Sequence, residues 1–307
     1  MLAIRDKAQI THSIIIQLEL SKSSFYCFGK SVRGREHRLS GLPNQDAFRI
    51  YIGKDNNPVI IALADGHGSP VHFRSEVGSK MAVDTAVDIL SSVRETDIKV
   101  PNKISKYPTL ITREWNSRVL LDHKNKKFSS DELGALYDEV KNESFVDYVR
   151  LDPKIGYGTT LIVVASYGDS MLYLQIGDGD ILVVDDTGNV RKPLRDDVQF
   201  SRYQTKSLCT HGASDDFRIA VEKNNGANPV LVLTSTDGYS NSFKSYQEFF
   251  KVGIAYRDLI RILGCDFLED ILEDLLCKTS SQGSGDDITV GLACSSDLAS
   301  DHGFIFP

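Results

Sequence analysis

The stretch Val59-Ile60-Ile61-Ala62-Leu63-Ala64-Asp65-Gly66-His67-Gly68 decides the fold. Six consecutive apolar residues do not alternate with polar ones, so they read as a strand covered on both faces. The run stops abruptly at Asp-Gly, and the same pattern returns at Tyr173 to Gly179 and at Leu231 to Gly238. In each case the Asp stands just past a buried strand. The Gly after it lets the backbone turn sharply or bring a carbonyl close to a ligand. Asp46 before Ala47, and Asp286-Asp287 before Ile288, add two more acidic strand edges. Like charges gathered at one place repel unless cations neutralise them, and oxygen-only donors favour hard ions such as Mg²⁺ or Mn²⁺ over zinc. Any single Asp-Gly is ordinary turn chemistry; the joint pattern points to a carboxylate-bridged metal pair.

Further strands are expected at Phe25 to Phe28, Ala47 to Ile52, Thr160 to Ala165, Met171 to Ile176, Ile181 to Val184, Val230 to Ser235 and Ile288 to Ala293. Helical spacing appears from Val77 to Leu90, from Leu133 to Tyr148 and from Leu268 to Leu275, with a weaker helix over Leu110 to Leu121. Strict βαβ alternation is absent, which argues against a doubly wound parallel sheet and for a layered sandwich. Pro193 to Asp216 is polar and reads as one long loop, a length that is often functional.

The chain has 307 residues, 25% charged and 41% apolar, enough for a real core and unlike disordered or collagenous sequence. That length allows one domain or two. A net charge of −7 argues against a general nucleic-acid binder. No apolar run is long enough to span a membrane, and no signal peptide is evident, so a soluble cytoplasmic protein is expected. Five cysteines without a CxxC pair make neither a disulfide framework nor a zinc ribbon, and they are expected to be core or incidental. Gly29-Lys30-Ser31 lacks the first glycine of a phosphate loop, and Gly156-Tyr157-Gly158 lacks the third glycine of a dinucleotide fingerprint. Seven basic residues against two acidic ones between Lys103 and Lys127 read as a solvated helix face or a docking face for an acidic partner.

Taken in order, five motifs resemble the metal-dependent PPM or PP2C-type serine/threonine protein phosphatases, in their divergent bacterial branch. They are Asn44-Gln45-Asp46-Ala47, Ala64-Asp65-Gly66-His67-Gly68, Ile176-Gly177-Asp178, Thr236-Asp237-Gly238 and Gly285-Asp286-Asp287-Ile288-Thr289-Val290, with Gly158-Thr159-Thr160-Leu161 similar to the structural Gly-Thr-Thr segment. The resemblance implies a four-layer αββα sandwich, α/β (α+β) in class, with two central, mainly antiparallel sheets flanked by helices. It implies an N-terminal extension or added strand over 1–23, a phosphatase domain over 24–296 with a flap at about 193–216, and a tail over 297–307.

The resemblance further implies two central Mg²⁺ or Mn²⁺ ions held by Asp46, Asp65, Asp237, Asp286 and the Gly66 carbonyl, with Asp178 at a third, weaker site. Water bridging the ions would attack phosphorus directly, without a phosphoenzyme. His67 would protonate the leaving oxygen or order water. The residue that holds the phosphate is open among His37, Arg33, Arg35 and Arg38, with His37 first and Arg33 second. Asp287 stands where the family usually has Asn, Asn241 where many relatives have Asp, and Gln45 where Glu is frequent. The implied partners are a phosphorylated protein substrate and a cognate serine/threonine kinase, with neither nucleic acid nor membrane, and the protein is expected to be a monomer. Two alternatives stand beside this reading, a pseudophosphatase that binds without catalysis and a phosphatase of small molecules.

Overall fold

The computed structural model describes residues 25–195, 206–223 and 229–300. The expected N-terminal extension lies outside the described residues, as do the middle of the expected flap and most of the tail.

Strands β1 (Phe25–Val32), β2 (Ala47–Ile52), β3 (Val59–Ala64), β4 (Leu161–Tyr167), β5 (Ser170–Ile176), β6 (Asp180–Val184), β7 (Val190–Arg191), β8 (Arg218–Lys223), β9 (Leu231–Ser235) and β10 (Ile288–Ser295) form two five-stranded sheets. Their orders are β1-β10-β9-β6-β7 and β2-β3-β4-β5-β8, and every neighbouring pair is antiparallel. The longer helices are α1 (Arg35–Ser40), α2 (Ser75–Leu90), α3 (Tyr107–Asn125), α4 (Ser130–Val140), α5 (Glu143–Leu151), α6 (Tyr246–Leu263) and α7 (Cys265–Gln282).

The double coverage read from β3 follows from its alternation between two apolar partners. Ile60, Ala62 and Ala64 pack with Val83, Ala86 and Leu90 of α2 and Ile111 and Trp115 of α3. Ile61 and Leu63 point the other way, into an inter-sheet core with Ile162, Ile181, Val232 and Ala293. The outer face of the other sheet packs Leu231, Leu233 and Val290 against Phe249 and Ile260 of α6 and Leu268 and Leu272 of α7. The result is the expected αββα order, helix, sheet, sheet, helix.

Three local expectations change. The single helix expected from Leu133 to Tyr148 is two, because Lys141 takes a left-handed φ of 48° and Asn142 then caps α5 by accepting from Phe145 N. β8 and α6 were not read from the sequence. The basic stretch is paired in part: Lys103 bonds Asp97, and Arg118 bonds Asp88 and Glu114. No helix among the described residues is long and apolar enough to cross a membrane.

Candidate metal centre

Antiparallel pairing brings the acidic strand ends to one rim. Ala47, which follows Asp46, pairs with Ala64, which precedes Asp65. In the other sheet Ser235, just before Thr236-Asp237, pairs with Val290, just after the Asp286-Asp287 entry to β10. Ser235 also pairs with Asp180 beyond the Asp178 turn. A cleft of about 480 Å³ opens at this rim, lined by Asp65, Asp178, Asp237 and Asp286 with His67 and His72. Asp46 is buried behind it, where Oδ2 accepts hydrogen bonds from Thr236 Oγ1 at 2.8 Å and Thr289 Oγ1 at 2.7 Å.

The Gly-Thr-Thr segment explains itself here. Thr160 Oγ1 accepts from Asp65 N at 3.0 Å, Thr160 N donates to Asp65 O at 2.9 Å, and Thr159 Oγ1 donates to the same carbonyl at 2.8 Å. The two threonines thus fix the backbone that presents the Asp65 carboxylate. Gly66 must be glycine because a Cβ would lie 2.6 Å from Gln45 O and 2.8 Å from Ser75 O.

The electrostatics are those of negative charge gathered away from water. Burial raises the Asp65 carboxyl well above the usual range, with Asp46, Asp237 and Asp286 adding repulsion. Burial likewise raises Asp46, with Asp287 beside it, and raises Asp286. Asp237 is pushed up to about 6, first by burial and then by Asp178. Asp65 and Asp237 act on each other directly, and this adds to the upward shift of Asp65, as expected for carboxylates gathered out of water without a neutralising cation. Among the described residues no three His, Cys, Asp or Glu side chains stand together as a ready ligand set for one ion. The donor set fits hydrated hard cations, each taking one or two carboxylates and completing its shell with water, as Mg²⁺ does.

The other predicted residues divide. His67 lines the cleft, where burial and then His72 hold its pKa down to about 4. His37 is tied through Nδ1 to Asp287 Oδ2 at 2.9 Å. Arg33 donates from Nη2 to the His37 carbonyl at 2.8 Å, bracing α1. Arg38 bonds the Arg33 carbonyl, and Arg35 lies against Glu36 at 2.7 Å. Asn241 donates to Asp237 Oδ2 at 2.9 Å.

Three features of this rim go beyond the sequence reading: the several donors that Asp287 accepts, the placement of His72 and the place of Cys209 at the cleft. Asp287 accepts from Gly34 N at 2.6 Å, Gln45 N at 2.7 Å and His37 at 2.9 Å, joining the approaches to β2 and β10. His72 packs on His67 with ring centroids 4.8 Å apart and is anchored through Nδ1 to Ile155 O at 2.5 Å. Cys209, expected to be core or incidental, is buried and lines the cleft with Ser207 and Thr210. His211 beside it is exposed. This end of the expected flap is pinned, with Leu208 N donating to Thr159 O at 2.9 Å.

The αββα sandwich with its acidic cleft at the sheet edges is that of a phosphatase class, as the match to a family model shows. The family model described as protein phosphatase 2C matches residues 33–277, and the chain belongs to that family of protein serine/threonine phosphatases. Solved structures similar to it include a bacterial serine phosphatase, with 16% identity over 88% of this chain and 97% of that one and a TM-score of 0.57. The catalytic domain of the serine/threonine phosphatase PstP in complex with two manganese ions is also 16% identical, over 89% and 99% of the two chains, with a TM-score of 0.56. Stp1 from Staphylococcus aureus is 16% identical over 88% and 94%, also with a TM-score of 0.56. At this identity the likenesses show the fold. No curated protein matches the chain.

Proposed function

We propose that the protein dephosphorylates phosphoserine and phosphothreonine in protein substrates, using Mg²⁺ or Mn²⁺ held between Asp46, Asp65, Asp237 and Asp286. The observation that carries this reading is the gathering of four carboxylates, those of Asp65, Asp178, Asp237 and Asp286, around one cleft. When bound, the ions supply positive charge for the phosphoryl oxygens and acidify the water that attacks phosphorus. The PstP structure with two manganese ions supports the same number of ions here.

The chain's own residues orient and exclude. Thr236 and Thr289 hold Asp46 by one oxygen, leaving the other for a cation. His67, neutral at pH 7 because its pKa is near 4, serves as a hydrogen-bond partner for the leaving seryl or threonyl oxygen or for water. Ser207 and Thr210 form a wall on the flap side. The carboxylates that a binding-only relative could dispense with are all present, which favours an active enzyme over a pseudophosphatase. Hydrolysis of a phosphothreonine peptide beside a panel of metabolite phosphates, in Mn²⁺ and in EDTA, tests the proposal. Metal-dependent turnover of the peptide is expected; turnover of a metabolite with none of the peptide would transfer the assignment to small molecules.

A further inference from the structure

Beside the cleft lies a second cavity of about 440 Å³, and the two share Gly68 and Ser69 as a common wall. Its lining is largely apolar, with Leu42, Phe73 and Val77 in it, and it also includes Gln45. Gln45 is 7% exposed, and its Oε1 is buried without a hydrogen-bond partner. A buried acceptor left unpaired costs about 1–3 kcal/mol, a cost that a donor reaching it would relieve. Glu76, Asp122 and Glu132 also line this cavity, one negative charge more than Arg74 and Lys126 supply, although Glu76 already pairs with Lys80, Asp122 accepts from Tyr157 at 2.6 Å and Glu132 is held by Arg74. Arg74 is already committed to Glu132, Tyr157 and the Lys126 and Lys127 carbonyls.

We propose that this cavity is a side-chain subsite for the phosphoprotein, taking a lysine or arginine that flanks the phosphorylated residue. The inference rests on the phosphatase reading and deepens it. An extended chain advances about 3.3–3.6 Å per residue, so a substrate with its phosphate in the cleft reaches across the Gly68-Ser69 wall within a residue or a few. The apolar part of the lining suits the methylene shaft of a long basic side chain. The unpaired Gln45 carbonyl and the excess of one negative charge in the lining suit the donors at its tip.

The test uses fluorescent peptides carrying a non-hydrolysable phosphonate in place of phosphoserine, with Lys, Ala or Glu at each flanking position in turn. Anisotropy is read in Mn²⁺ with the full chain. At one or two positions the Lys peptide should bind about tenfold more tightly than the Ala peptide, and the Glu peptide more weakly than either. Ala135, an exposed residue of α4 on the cavity rim, offers a plug that leaves the core alone. In Ala135→Trp the Lys-over-Ala preference should fall below about twofold, and Gln45→Met should lower it as well. A flat profile across all flanking positions overturns the subsite, as does a preference that survives Ala135→Trp undiminished. Hydrolysis of phenyl phosphate in Mn²⁺ is measured separately. Its absence would count against the phosphatase reading, while the binding profile still decides the cavity.

Discussion

Asp287 Oδ2 lies 2.9 Å from His37 Nδ1, and the same carboxylate also accepts from the backbone of Gly34 and Gln45. Three donors on one buried, acceptor-only group explain why Asp stands where relatives usually carry Asn. An amide has one acceptor oxygen and would turn N–H toward a donor. Asp287→Asn should therefore lower stability by about 1–3 kcal/mol, read as a fall in denaturant midpoint. It should also weaken Mn²⁺ activation, because Gln45 leads directly into Asp46. An unchanged midpoint would show that the carboxylate is not the clamp described.

Gly158 touches both imidazoles of the cleft: a Cβ there would lie 2.4 Å from His72 Nδ1 and 2.8 Å from His67 Cδ2. Gly158→Ala should cost about 1–3 kcal/mol through overpacking. Displacing His67 should lower kcat by about tenfold or more. Full activity in the folded variant would mean that the position of these rings does not matter.

In the metal-free protein Asp237 should add stability as the pH falls from 7.5 to 5, read as the difference between wild type and Asp237→Asn. The difference is needed because His67, held down to about 4 from 6.5, pulls the whole protein the other way. Asp237 is raised to about 6 from 3.8, so between those values the native state holds a proton that the unfolded state has released. This contribution then falls as pH rises through that window. Mn²⁺ should remove the trend by taking the proton's place. Thermal denaturation of both proteins at several pH values in EDTA and in Mn²⁺ checks both halves.

Arg74 is buried and grips Glu132 through two hydrogen bonds of 2.7 and 3.0 Å, joining the start of α2 to the start of α4. These bonds outweigh burial and hold the Glu132 carboxyl down to about 2 from 4.5. A depressed acid stabilises above its unfolded value and loses that contribution as pH falls through the folded one. Glu132→Gln should cost about 2 kcal/mol at pH 7, the scale of a hydrogen bond to a charged group. The gap from wild type should narrow as pH falls below 4.5, which urea unfolding at pH 7 and pH 3.5 would show.

Strands buried on both faces were the easiest to read, because Val59 to Ala64 and Ile288 to Ala293 are nearly continuous apolar runs. β8 was missed because it is an edge strand, with Arg218, Glu222 and Lys223 leaving only Ile219 to Val221 apolar. α6 was missed because its buried stripe includes Gly253 and Arg257 among Phe249, Tyr256 and Ile260. The break between α4 and α5 did have a signal, the capping Asn142. The acidic site was legible because each Asp follows or precedes a strand, and antiparallel pairing then brings the ends together. The anchoring of His72 and the clamp made by Asp287 were not, since their partners, Ile155 O and Gly34 N, lie 83 and 253 residues away.

The central claim is that Asp65 and its neighbours form a metal-dependent phosphatase centre. The most direct measurement is turnover of a phosphothreonine peptide across a Mn²⁺ titration, for wild type and Asp65→Ala side by side. Saturable, Mn²⁺-dependent hydrolysis by the wild type, falling at least about a hundredfold in a folded Asp65→Ala, is the predicted result. Equal turnover by the two proteins, or turnover indifferent to Mn²⁺ and EDTA, would contradict it.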